Sequence, residues 1–283
     1  EDAVTAVSDP FRNDGGPHLC IWGGRSVFDP SSCHKLVPTG TGTVMINTYN
    51  EPAFRAIPPA PTSQLEPFLR FFEKIFRDPQ ERAMVCGWIA SSLKGGKNRP
   101  SWALIAYSSE KGTGKSTLGH IIARLHGATN SMTIAGLDKF TQRFNAPTLA
   151  KTFVSVEELG ETLPPKQIET AKALLTGETI ATERKLSDTH EVALHTSVYA
   201  STNRLPTYLN ELERRFLLVD ASHSGHASGP DREDFAALIQ EIRGLLDDTR
   251  VVSALYKWFM NYNLPTGFEP TSVNVATQST ALM

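Results

Sequence analysis

The chain has 283 residues, 40% of them hydrophobic and 20% charged, with 28 Lys plus Arg against 30 Asp plus Glu for a formal charge of -2. This composition excludes a collagen-like repeat, a disulfide scaffold and a wholly disordered chain, and the length suits one large domain or a core with appendages. The even charge balance excludes a protein that coats duplex DNA through an overall basic surface, so any nucleic-acid contact has to be local.

The apolar runs at 84–90 and 102–107 fall far short of the roughly 18–20 residues that a spanning helix needs. Three cysteines, Cys20, Cys33 and Cys86, cannot all pair within one chain, which points to a reducing, cytoplasmic compartment. The sequence opens on Glu1 with no signal or transit pattern, and we expect it to be a piece of a longer protein.

Residues 1–60 are rich in Gly, Pro, Asp and Ser, with short β-type runs at Leu19–Trp22 and Thr43–Ile46. They predict a small irregular β region that ends in an extended linker, Pro58-Pro59-Ala60-Pro61. His18, Cys20, Cys33 and His34 fit no standard zinc-finger spacing, so no zinc site is expected.

Residues 61–97 change period. Leu65, Phe68, Leu69, Phe72 and Phe76 recur at helical spacing. A second helix opens with Asp78 as cap and Pro79 in its first turn, carries Met84, Val85, Trp88, Ile89 and Leu93, and stops at Lys94-Gly95-Gly96-Lys97.

Residues 98–225 read as α/β. Buried-strand runs at 102–107, 153–156, 197–200 and 216–219 alternate with helical patterns at 114–125 and 166–175, the signature of a mainly parallel central sheet. Residues 226–283 add two C-terminal helices, 235–246 and 251–262, and a polar tail.

Between the first core strand and its helix lies Ser109-Glu110-Lys111-Gly112-Thr113-Gly114-Lys115-Ser116-Thr117, placed where a phosphate-binding loop must lie. Glycines let successive backbone N–H groups turn towards an anion, and the helix start adds its positive dipole end. Lys115 would reach the β- and γ-phosphates of ATP, and the Ser116 hydroxyl would ligate Mg²⁺. Ser109 stands where the usual pattern has its first glycine.

The strand Phe153–Val156 runs into Glu157-Glu158. Glu157 would take the Mg²⁺ position and Glu158 would polarise the attacking water, with the division of roles between them left open. The run Thr196–Asn203 ends in an amide, which both donates and accepts and so suits the γ-phosphate or the water. Arg214 and Arg215 are candidates for neutralising the charge of phosphoryl transfer, in cis or from a neighbouring subunit. Phe140 beside Lys139 offers a base-stacking loop, but Phe140 and Phe144 at helical spacing read first as core.

This order of motifs resembles the superfamily 3 helicases of AAA+ type, and within them the helicase part of viral and phage primase-helicases, including the poxvirus-type enzymes. The resemblance rests on 109–117 and 153–158, on Leu174–Ile180 with Glu183-Arg184-Lys185, on 201–206 and on Arg214-Arg215-Phe216, and it covers about residues 65–220. It implies an AAA+-like P-loop NTPase fold and a homo-oligomer, a hexameric ring around single-stranded DNA with ATP between subunits. It also implies a pore hairpin over about 179–194 whose Arg184, Lys185 and His190 contact the DNA backbone. Arg214 or Arg215 would then act in trans, an N-terminal primase or polymerase domain would complete the protein, and the setting would be the host-cell cytoplasm. The alternative is a nucleotide-gated assembly or loader module that hydrolyses slowly and unwinds nothing; a GTPase is disfavoured because no Asn-Lys-x-Asp motif occurs.

Overall fold

The structure is a computed structural model, and it describes residues 21–39, 43–142, 146–182, 190–209, 214–221, 228–273 and 279. It divides into two compact units, Glu1–Asn50 and Glu51–Met283.

In the first unit, β1 (Ile21–Val27), β2 (Leu36–Pro38) and β3 (Thr43–Asn47) form one sheet in the order β1-β3-β2. β1 runs parallel and β2 antiparallel to β3. Its organising residue is the buried Asn47. The side-chain amide donates to the carbonyls of Asp29, Ser32 and His34 at 2.9, 3.1 and 3.3 Å, and its oxygen accepts from the Asp29 and Tyr49 amides. A buried amide that satisfies all its bonding capacity fixes the loops around it in a region with little apolar surface.

The second unit begins before the proline-rich stretch, because residues 53–60 are strapped onto its last helix. Phe54 packs edge-on against Tyr256, the Ala60 amide donates to the Arg250 carbonyl at 2.9 Å, and Ser253 Oγ donates to the Ile57 carbonyl at 2.8 Å.

Helix α1 (Glu66–Ile75) and helix α2 (Pro79–Lys94) follow. In α1 the buried stripe is Phe68, Phe71, Phe72 and Ile75, the i, i+3, i+4, i+7 positions, and Leu69 is exposed. Leu65, Phe68, Phe72 and Phe76 of the periodic set are buried as that spacing suggests, while Leu69 on one edge of the stripe is exposed and Phe71 on the other edge is buried. In α2, Asp78 caps the first turn by accepting from the Gln80 amide, Pro79 occupies the first helical position, and Gly95, at φ +60°, ends it.

The core elements are β4 (Ala103–Tyr107), α3 (Lys115–His126), β5 (Ser131–Ile134), two short turns of helix α4 (Asp138–Thr141) and α5 (Ala146–Leu149), β6 (Phe153–Val156), and α6 (Pro165–Thr176). The hairpin β7 (Thr179–Thr182) and β8 (His190–Ala193) comes next, then β9 (Ser197–Thr202), β10 (Phe216–Asp220), α7 (Arg232–Asp247) and α8 (Thr249–Met260). Five strands form one all-parallel sheet in the order β10-β4-β9-β6-β5. This is the AAA+-like α/β architecture, with the strand that leads to the phosphate loop set inside the sheet.

The sheet is buried on both faces, as parallel sheets are. Leu104 and Ala106 of β4, Tyr199 of β9, and Leu217 and Val219 of β10 face one apolar layer, shared with α1, α2, α3, α7 and α8. Ala103, Ile105, Val154, Val156, Val198 and Leu218 face the other, with Leu174 and Leu175 of α6. Phe140 is 1% exposed and belongs to this second layer, so it is a packing residue and leaves no ring free to stack on a base. Phe144 lies outside the described residues.

Candidate functional site

Parallel strands place their carboxyl ends on one edge, and the order of this sheet sets β4, β9 and β6 side by side. The phosphate-type turn leaves β4, Asn203 follows β9, and Glu157 and Glu158 follow β6. Ligand sites in open α/β sheets lie along this edge. Residues Lys111–Thr117, Glu157, Glu158, Ser201, Thr202 and Asn203 line a cleft of about 430 Å³ there.

The turn is pinned at its start. Ser108 is fully buried; its amide donates to the Thr202 carbonyl at 3.1 Å, and its hydroxyl donates to the Glu110 carbonyl and accepts from the Glu110 amide. Gly112 and Gly114 have φ +80° and +93°, a conformation that costs a side chain roughly 1–2 kcal/mol. Gly114 also has no room: a Cβ there would lie 2.9 Å from Phe71, 3.1 Å from Phe235 and 3.2 Å from Ile75. We therefore expect Gly114→Ala to destabilise the fold by about 1–3 kcal/mol, read as a lower thermal midpoint. An unchanged midpoint would contradict this packing.

Helix α3 is held close over the sheet. Tyr199, fully buried, donates its hydroxyl to the Lys115 carbonyl at 2.8 Å, and a Cβ at Gly119 would lie 3.1 Å from Ser155 Oγ and 3.2 Å from the Tyr199 ring. The glycine permits the approach, and the tyrosine fixes the height of the helix start.

Lys115 projects from the first residue of α3 into this setting. Its ammonium donates to Asn203 Oδ1 at 2.9 Å, to the Glu110 carbonyl at 3.2 Å and to Thr113 Oγ1 at 3.3 Å. Burial pulls its pKa down from 10.5 to about 8, with the charge of Asp220 opposing part of that fall. The cation is desolvated and has only neutral partners among its hydrogen bonds, a position that favours an arriving anion.

Glu157 is half-buried, and its amide donates to the Ile134 carbonyl at 2.8 Å. Glu158 is exposed, with φ +56°. A non-glycine residue in this region costs of order 1–3 kcal/mol, and such strain concentrates at functional sites. The next residue is tied across the sheet, with the Leu159 amide on the Ser201 carbonyl and Thr202 Oγ1 on the Leu159 carbonyl, both at 2.9 Å.

The oxygen-rich set of the Ser116 hydroxyl and the Glu157 carboxylate fits Mg²⁺. This small hard ion takes few protein ligands and completes its shell with phosphate oxygen and water. Among the described residues no group of three or more His, Cys, Asp or Glu is gathered to hold a metal by protein alone.

Lys111 through Thr117, Glu157, Glu158 and Asn203 line this cleft together; Glu110 meets it through its carbonyl on Lys115 Nζ, and Ser109 is not part of its wall. Arg214 and Arg215 do not join them. They precede β10 at the opposite end of the strands, where the Arg215 carbonyl accepts from the Ala103 amide, Arg215 Nη1 donates to the Thr271 carbonyl at 3.3 Å, and the Arg214 carbonyl accepts from the Val273 amide. β10 spans 5 residues, so at about 3.3 Å per residue the arginines begin roughly 16 Å from the cleft edge.

The hairpin over 179–194 is present as the antiparallel pair β7–β8, with His190 at the start of β8 opposite Thr182. Arg184 and Lys185 lie outside the described residues.

Sequence reasoning missed two cleft residues, Ile239 and Arg243 of α7. They sit one turn apart on the flank of the apolar stripe Phe235, Leu238, Ile242 and Leu246, and nothing in that stripe marks the flank as a cleft wall. It also missed β5, a short, half-exposed edge strand whose Ser-Met-Thr-Ile run carries little apolar signal.

The fold and cleft define an α/β P-loop-type domain, and the comparisons narrow its kin. Residues 106–215 match a family of unknown function, DUF5906. The chain is similar in fold to apo structures of the NrS-1 C-terminal region. One has a TM-score of 0.67 at 15% identity, another 0.66 at 16%; each covers 91% of this chain and 59% of the other. A third gives 0.64 at 17% identity. This chain therefore spans about three-fifths of the length of those structures. No curated protein matches the sequence.

Proposed function

We propose that this chain is the motor part of a superfamily 3-type DNA helicase, hydrolysing ATP with Mg²⁺ and moving on single-stranded DNA in viral or phage replication. The observation that carries the reading is the cleft in which the turn residues 111–117, the Glu157-Glu158 pair and the Lys115–Asn203 contact meet. The fold likeness to the NrS-1 C-terminal region agrees with it. Among the described residues no helix is long and apolar enough to cross a membrane.

In this account the amides of 112–116 and the start of α3 receive the β- and γ-phosphates. Lys115 exchanges its neutral partners for phosphate oxygens. Ser116 and Glu157 would hold a Mg²⁺, which when bound would supply positive charge against the phosphates. Glu158 takes a proton from the attacking water, and Asn203, released from Lys115, hydrogen-bonds the water or the γ-phosphate.

The 16 Å offset puts Arg214 and Arg215 out of reach of their own cleft, so the arginine that completes the site comes from the next subunit of a homo-oligomeric ring, hexameric by the resemblance. Arg184, Lys185 and His190 of the hairpin contact the DNA backbone. A few phosphate contacts per subunit, summed around a ring, give salt-sensitive binding without an overall basic charge.

The test is ATP turnover with and without single-stranded DNA. Turnover stimulated several-fold by DNA supports the reading. Nucleotide-dependent assembly without stimulated turnover supports the assembly-module alternative instead.

A pH dependence follows from Lys115, whose pKa stands at about 8 in the chain alone. A bound triphosphate raises it, so binding near that pH takes up a proton. Affinity is then full below about pH 8 and falls as pH rises through that value, by up to tenfold per unit. Binding measured between about pH 7 and 9.5 checks this, and a flat profile removes the Lys115 ammonium from the phosphate site.

A further inference from the structure

Outside the cleft, one half-buried cation, Arg99, has an arrangement that ordinary packing does not require. Arg99 stands four residues before β4. Its Nη1 donates to the Thr196 carbonyl at 2.9 Å and to the Leu175 carbonyl at 3.2 Å, and its Nη2 donates to the Gly177 carbonyl at 3.0 Å. Burial lowers its pKa from 12.5. The charge sits at the carbonyl end of α6, where the helix dipole favours a cation, and the planar fork of guanidinium donors serves three acceptors at once.

The acceptors are the two roots of the β7–β8 hairpin. Leu175 and Gly177 lead out of α6 into β7, and Thr196 leads from β8 into β9. The roots are also closed on each other. The Leu194 amide donates to the Glu178 carbonyl at 2.8 Å, and a Cβ at Gly177 would lie 3.0 Å from the Ala173 carbonyl oxygen and 3.2 Å from Leu194 Cδ1. Thr196 Oγ1 donates to the Lys151 carbonyl at 2.9 Å, just before β6.

Arg99 therefore joins the hairpin base to the segment entering β4, whose far end is the phosphate-type turn. Its acceptor Thr196 precedes β9, whose far end is Asn203, and Thr196 in turn is bonded ahead of β6, whose far end is Glu157.

We propose that Arg99 is a positioning residue that locks the root of the hairpin to the strands carrying the nucleotide cleft, so that events at the cleft and at the hairpin move together. This rests on the function proposed above. A residue that only filled space would not need a charge, and a lysine cannot present two nitrogens to three carbonyls on separate stretches of chain.

The test compares the wild-type chain with Arg99→Lys. Basal ATP turnover is expected within about twofold of wild type, because Arg99 lies outside the cleft, while the stimulation by single-stranded DNA falls to near one. Amide hydrogen exchange at 178–182 and 190–196 is expected to rise on the order of tenfold, with exchange in β4 and α3 unchanged.

Full stimulation in Arg99→Lys, or basal turnover lost together with stimulation in a folded protein, overturns the proposal. If the wild-type chain itself shows no DNA-stimulated turnover, the function proposed above fails, and exchange alone then decides on the lock: faster exchange confined to the root supports it, and unchanged exchange ends it.

Discussion

Lys115→Ala is expected to lower ATP turnover by about 10³-fold or more and to leave the chain folded. The cation works in a desolvated cleft, where a charge placed on the transferring phosphoryl group is worth most, and loss of one such stabilising donor costs of order 10²–10³ in rate. Its removal from the binding step adds to that. The fold should survive because Lys115 holds α3 through its backbone carbonyl, which accepts from Tyr199, and alanine keeps that bond while favouring the helix. The acceptors left behind, Asn203 Oδ1, the Glu110 carbonyl and Thr113 Oγ1, open onto a cleft that water fills. Phosphate release with thermal unfolding as control measures both halves. Undiminished turnover in a folded variant would detach the turn from the chemistry.

The second large effect is expected from the arginines. Replacing Arg214 and Arg215 together by alanine should reduce turnover by about 10³-fold, the lower end for an arginine that stabilises phosphoryl transfer, with nucleotide binding largely kept. The decisive version mixes two inactive chains. A protomer that lacks Arg214 and Arg215 retains a complete Lys115 cleft, and a Lys115→Ala protomer retains both arginines. Because the pair sits at the opposite end of the strands from its own cleft, mixed rings should contain interfaces with every part present and recover a fraction of wild-type turnover. No recovery in mixtures that co-assemble would refute action across an interface. Arg215 also donates to the Thr271 carbonyl, so single substitutions tell the two residues apart: the one that only ties down the C-terminal segment lowers stability rather than turnover.

Much of the cleft was legible in the sequence because its parts follow strand ends. A glycine-rich turn before a helix, two glutamates after one apolar run and an asparagine after another are local patterns, and a parallel sheet puts such ends on one edge; that they are neighbours there depends on the strand order β4-β9-β6, which no local pattern carries. The chain-order reading did not supply the neighbours that lie far apart in sequence. Tyr199 setting the height of α3, Arg243 walling the cleft from α7, and Arg99 reaching Thr196 across almost a hundred residues carry no local signature. The start of the second unit was displaced for a similar reason. Pro58–Pro61 has linker composition, yet Ile57 and Ala60 are bonded to α8, a contact that composition cannot reveal. Spacing alone did not decide the edges of the α1 stripe, where Leu69 is exposed and Phe71 buried, because packing against the neighbouring helices sets them.

The central claim is that a triphosphate is held by the turn at 112–116, with Lys115 as its cationic partner. The most direct measurement is a structure of this chain with Mg²⁺ and a non-hydrolysable ATP analogue. The account predicts phosphate density against those amides, with Lys115 Nζ transferred from Asn203 Oδ1 to phosphate oxygens and Asn203 turned towards the γ-position. Nucleotide density placed elsewhere, or a Lys115–Asn203 contact still intact beneath a bound analogue, would contradict it.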